Sequence, residues 1–115
     1  MEIFRAVVWS CETWWELRLL DLSIMVDGET EDEMLRQLQH SLCVHYTWAV
    51  RNGLTPFMKL KRTPTETECA KWKGSGVSLR RLDLPEEVRV ALSMAIGNPK
   101  IVTNVQLQAE EAKAA

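Results

Sequence analysis

The sequence predicts an α+β fold: a small antiparallel sheet of three to four strands packed against one long helix, with a C-terminal helical segment behind it. Three observations carry this reading. Bulky and β-branched residues alternate with period two through residues 3–9 and 14–20, the signature of half-buried strands. A capped apolar stripe with helical spacing runs over residues 30–53. The chain has 115 residues, 46% of them apolar and 26% charged, which suits one globular core of ordinary size.

The elements follow in order. In residues 3–9, Ile3, Val7 and Trp9 fall on one side with Arg5, and Phe4, Ala6 and Val8 on the other. A polar connection over residues 10–13 predicts a hairpin into a second strand, where Trp15, Leu17 and Leu19 form a buried face and Glu16 and Arg18 a wetter one. Asp21 interrupts the pattern, and residues 22–26 read as a third strand ending in an Asp27-Gly28 turn. Thr30 and Glu33 have the spacing of a capping box. Glu31, Asp32 and Glu33 occupy the first turn, where the helix dipole favours anions, so the helix start accounts for all three without a metal. The stripe Leu35, Leu38, Leu42, Tyr46 (or His45) and Ala49 predicts a helix of about 22 residues, roughly 33 Å long. Arg51-Asn52-Gly53 ends it, with glycine at C′.

Residues 54–62 read as an edge strand opened by Pro56, with Met58 and Leu60 alternating against Phe57, Lys59 and Lys61. Residues 63–76 have no period and contain Pro64, Gly74 and Gly76, which predicts a linker or long loop. Pro85 at N1 opens a second helix whose stripe is Val88, Ala91, Leu92, Ala95 and Ile96, stopped by Gly97-Asn98-Pro99. Residues 101–107 fit a strand or a third helix, and the final AEEAKAA favours helix. The expected organisation is a core over 1–62, a linker over 63–76 and a helix-containing appendage over 77–115.

Net charge is −2, which offers no global attraction to nucleic acid or anionic membrane. The charge is polarised, however. Residues 1–36 hold nine acids against three bases, and residues 51–81 hold eight bases against two acids. Mutual neutralisation of the two segments across one fold is the simpler reading. Cys11, Cys43 and Cys69 are far apart and odd in number, so reduced thiols are expected rather than a disulfide or metal site. No apolar run reaches the length of a membrane span, and a cytoplasmic protein is expected.

No motif reaches a catalytic signature, so no enzyme, cofactor or metal is expected. His40 and His45 are five residues apart and do not share a helix face. No glycine-rich phosphate loop and no nucleophile elbow is present. Five tryptophans are the remaining feature: Trp9 and Trp15 suit the core, while Trp14, Trp48 and Trp72 are candidates for a protein interface. Trp72 lies between Lys71 and Lys73, an arrangement that could also stack a single-stranded base.

The stretch WWELRLLDLSIMVDGETEDEMLRQLQHSL resembles the core of the HicB-like antitoxins. That family shows an aromatic strand, an acid after the second strand, then Gly-x-Thr-x-x-Glu leading into an amphipathic helix. Trp15, Asp21, Gly28, Thr30 and Glu33 stand at the matching positions, and the resemblance covers residues 1–62. Leu22-Ser23 stands where the family carries Pro-Gly-type residues, and the helix is longer than usual. The resemblance implies a truncated ribonuclease H-like fold and a non-enzymatic protein that neutralises a small RNase toxin by protein contact. It also implies a C-terminal DNA-binding segment in many members. Residues 76–87 are faintly similar to the ribbon and first helix of a ribbon-helix-helix, with Ser78, Arg80 and Arg81 (or Asp83) as base-reading candidates. DNA binding is not favoured, given the negative total charge and an imperfect ribbon. The alternative is a stand-alone oligomeric scaffold or adaptor domain with no toxin. A homodimer or higher homo-oligomer, and no membrane partner, are expected on either reading.

Overall fold

The computed structural model describes residues 2–10, 12–74, 76–96 and 105–113. Three strands come first: β1 (Glu2–Ser10), β2 (Trp15–Leu19) and β3 (Met25–Gly28). The long helix α1 (Glu31–Arg51) follows, then a 3₁₀ turn (Met58–Leu60) and α2 (Glu66–Gly74). The chain ends with β4 (Gly76–Leu82), α3 (Glu86–Ala95) and β5 (Val105–Lys113). The fold is α+β with one long helix. The sheet corrects the expectation of three to four antiparallel strands: among the described residues it has five, in the order β3-β2-β1-β5-β4. All neighbours are antiparallel except β1 and β5, which run parallel.

The core face of the sheet is set by Ala6 and Val8 on β1, which pair with Leu19 and Leu17 on β2. All four are buried. The third strand lies later than residues 22–26. Asp27 and Gly28 are not a turn but the last two residues of β3, paired with Glu16 and Trp15. The reversal is made earlier, where the Leu19 N–H donates to the Ile24 carbonyl at 3.1 Å. Glycine is needed at position 28 for space. A Cβ there would meet the backbone nitrogen of Met34 at 2.6 Å and its Cα at 3.0 Å.

Helix α1 begins as expected, with the Thr30 hydroxyl accepting the Glu33 N–H at 3.1 Å. Its buried stripe is Met34, Leu38, Leu42 and Ala49, with Leu35 and Tyr46 partly covered. The helix ends in a Schellman motif. Gly53 is left-handed at φ 67°, its N–H donates to Val50, and the Leu54 N–H donates to Ala49 at 2.9 Å.

Residues 54–62 do not form the predicted edge strand. Their alternation reduces to one antiparallel bridge, Leu22 with Lys61, flanked by Ser23 N–H to Leu60 O at 2.7 Å and Arg62 N–H to Asp21 O at 3.1 Å. Phe57 breaks the strand by adopting φ 66°. A bulky residue is rarely left-handed, and the strain is about 1–3 kcal/mol. Burial of its ring, worth about 1.5–3 kcal/mol, offsets this.

The segment over 63–76 is likewise not a loop, because Thr65 and Glu68 form a reciprocal capping box for α2. The Glu68 N–H donates to Thr65 Oγ1 at 3.2 Å, and the Thr65 N–H donates to Glu68 Oε1 at 2.9 Å. The other oxygen of Glu68 accepts from Arg62, whose guanidinium also donates to the Leu19 carbonyl at 3.0 Å. One buried carboxylate thus ties α2 to the end of β2. Residues beyond 76 are no appendage either: β4 and β5 complete the same sheet. Pro85 is the N-cap of α3 rather than its first residue, so the helix begins one residue later than expected, and Val88, Leu92 and Ala95 lie on its buried side. The predicted stop at Gly97-Asn98-Pro99 and the start of the 101–107 segment lie outside the described residues. The AEEAK stretch belongs to a strand, not a helix.

Two predictions follow from this packing. Gly28→Ala should cost about 2–3 kcal/mol, since helix backbone must move. Gly53→Ala, with open space around it, should cost only about 1 kcal/mol. Urea unfolding of both variants checks the order. The second concerns Glu68, whose carboxyl is lowered from 4.5 to about 2, first by its hydrogen bond with Arg62. A group lowered on folding stabilises the native state above its unfolded value and loses that contribution as pH falls through its folded one. Stability of about 2–3 kcal/mol should therefore disappear between pH 4.5 and pH 2. Glu68→Gln should flatten this part of the pH–stability curve.

Candidate functional site

Helix α1 lies against β3 and β2 on one side and contacts α3 on the other. Both of its flanks carry exposed apolar side chains. On the β3 flank, Trp48 is 55% exposed and Val44 51% exposed, one helical turn apart. They border a hollow of about 480 Å³ whose floor is Ala49, Leu54, Phe57 and Leu60 and whose formally charged member is Lys59. A second hollow of about 370 Å³ continues it through the shared residues Val44 and His45, and runs between Gln37 and Ser41 of α1 and Met25 and Val26 of β3. The two make one groove along the helix.

On the opposite flank, Val50 and Met94 are exposed, Met94 at 69%. With Tyr46, Pro56 and Val90 they line a hollow of about 490 Å³ between α1 and α3, with the carboxylates Glu86 and Glu87 among its walls. The side-chain oxygen of Gln39 accepts the Asp83 N–H at 2.6 Å and so fixes the start of α3 beside α1. The Cys43 thiol, on this side of α1, is pushed up by burial and by the nearby Glu87 carboxylate. It stays protonated and is a poor nucleophile.

The sequence-derived candidates are not gathered into one site. Trp14 is 46% exposed just before β2, near the start of α1, because its neighbour Trp15 pairs with Gly28. Trp48 sits in the last turns of α1, so these two indoles lie toward opposite ends of the helix. The backbone places Lys71, Trp72 and Lys73 in α2 and Ser78, Arg80 and Arg81 on β4. The side chains of these six lie outside the described residues, as does that of Trp9. Strand β4 ends the sheet and has β5 of the same chain as its neighbour, whereas a DNA-reading ribbon pairs with a second chain.

Met25, Val44, Val50, Met58 and Met94 were missed as surface residues by sequence reasoning. The spacing of Val44 and Trp48, off the core stripe, was a signal that could have found the first groove. Among the described residues, no group of three or more His, Cys, Asp or Glu could hold a metal ion. No helix among them is long and apolar enough to cross a membrane. Compared with family models, curated proteins and solved structures, the chain matches none.

These exposures predict how substitutions divide. Trp48→Ala should change stability by less than about 0.5 kcal/mol, whereas Leu42→Ala, at 1% exposure in the core, should cost about 2–5 kcal/mol. Thermal or urea unfolding of the two variants checks the contrast.

Proposed function

We propose that this chain is a non-enzymatic binding protein with a HicB-like core, which holds a small basic RNase toxin inactive by protein contact. The observation that carries the reading is the groove between α1 and α3. Its floor is apolar, with Val50 and Met94 exposed, and Glu86 and Glu87 stand at its walls. Apolar anchors within a rim of one charge sign are what a basic protein partner requires. The order of three antiparallel strands followed by a Thr-capped helix agrees with the resemblance carried by Trp15, Asp21, Gly28, Thr30 and Glu33. The alternative, a stand-alone oligomeric scaffold or adaptor without a toxin, draws support from the second apolar groove on the β3 flank of α1.

The test is to express any short basic protein encoded by a neighbouring gene and, where it arrests growth, to co-express this chain with it. The wild-type chain should restore growth, and the purified pair should bind. Met94→Lys and Val50→Lys should each weaken binding about tenfold or more, by placing a cation in the groove against a cationic partner. Unrelieved growth arrest with the wild-type chain would overturn the toxin reading, and equal affinity of Met94→Lys would overturn the choice of groove.

A further inference from the structure

The outward face of α1 is opposite to its core stripe and follows the positions Glu33, Gln37, His40, Val44, Trp48 and Arg51. Their spacing of four, three, four, four and three residues keeps them on one line of the helix surface. Four of them, from Gln37 to Trp48, are exposed, as is Arg51. The line is polar and anionic at its start, apolar in its second half and cationic at its end. We propose that this face is a self-complementary interface on which a second copy of the chain docks antiparallel, with Trp48 of each copy seated in the hollow between α1 and β3 of the other.

The charge order commits the occupant. A two-fold axis near the middle of α1 brings each residue opposite one whose number adds with its own to 84 or 85. Glu33 then faces Arg51 of the second copy, Gln37 faces Trp48, and His40 faces Val44. The Glu33–Arg51 pair therefore occurs twice, once at each end, because a two-fold interface is isologous. The helix dipoles also oppose each other in this arrangement, which is favourable. A parallel arrangement would instead stack Glu33 on Glu33 and Arg51 on Arg51.

The hollow confirms the register independently. At the height where Trp48 of the second copy arrives, beside Gln37 and Ser41, the groove opens to about 370 Å³ between α1 and the β3 residues Met25 and Val26. Met25 is among the exposed large hydrophobic residues of the chain. An indole buries roughly 150–250 Å² and has a polar N–H to satisfy, and Gln37, Ser41 and Asp27 supply acceptors around that hollow. This interface lies on the β3 flank, away from the α1–α3 groove, and does not depend on the toxin reading.

Sedimentation equilibrium of the full chain alone, from about 5 to about 200 μM, tests the proposal. The expected result is a monomer–dimer equilibrium. Glu33→Arg and Arg51→Glu should each raise the dimer dissociation constant about tenfold or more by placing like charges at both ends. The double variant E33R/R51E should return it to near the wild-type value. Trp48→Ala should give monomer throughout, with an unchanged circular dichroism spectrum. A wild-type chain that is monomeric across the range would overturn the proposal. So would a dimer indifferent to Trp48→Ala, or one that the double charge exchange fails to restore.

Discussion

The close approach of Gly28 to the backbone of Met34 fixes where α1 crosses the sheet, and most of the remaining architecture answers to that crossing. With no side chain at the end of β3, the first turn of α1 sits directly on the strand. The helix then runs for 21 residues, about 31 Å, whereas the four residues of β3 cover only about 13 Å. The second half of α1 therefore overhangs the strands it starts on. Its apolar stripe continues to Ala49 and has to be covered by something other than β3. The Schellman turn at Gly53 sends the chain straight back, and Phe57 accepts a left-handed backbone to put its ring into that space. The chain then bridges to the 20–24 turn through Leu22 and Lys61, and Arg62 locks the return by donating to Leu19 and Glu68. From the other side, α3 covers the rest.

Features that depend on local chemistry were legible in the sequence. Thr30, the Leu38–Leu42–Ala49 stripe and Gly53 each act within a few residues of their own position, and all three sit where the pattern places them. The Thr65–Glu68 box was equally local and was missed because Pro64 and the glycines at 74 and 76 drew attention to the breakers instead. The failures have a different origin. Residues 57–62 alternate like a strand, but the buried demand of the α1 overhang overrides the alternation at Phe57. In β5, the sequence VQLQAE alternates with period two, while the following EAK favours helix. Pairing with β1 over nine positions decides the matter, and that parallel neighbour lies about a hundred residues away in the chain. No local window contains it. The candidate site divides in the same way: the Val44–Trp48 pair is a helical-spacing signal, but the α1–α3 groove exists only after Gln39 has fixed the start of α3.

The charge polarity of the chain takes on a direction once folded. Arg62 is used inside the structure, against Glu68 and the Leu19 carbonyl. Arg51, Lys59 and Lys61 remain exposed around the end of α1, while Glu29 and Asp32 are exposed at its start. Around α1 the described charges thus fall at opposite ends of the helix, acids at its N-terminus and bases at its C-terminus, the sense its own dipole favours. Each charge is already favourable within its own copy, so the polarity needs no partner to persist.

That persistence explains how one helix can offer two different surfaces. The core stripe of α1 faces the sheet, which leaves a β3 flank and an α3 flank separated by nearly half of the helix circumference. The β3 flank has charges of both signs at its two ends and an apolar middle, a pattern that is complementary to itself when reversed. The α3 flank has carboxylates at Glu86 and Glu87 among its apolar residues, a pattern that repels its own copy and suits a cationic surface. Because Val50 and Trp48 project from opposite sides of α1, occupation of one flank leaves the other open. The two proposed uses, self-association and partner binding, are therefore compatible, and the element connecting the two surfaces is the packed stripe from Met34 to Ala49.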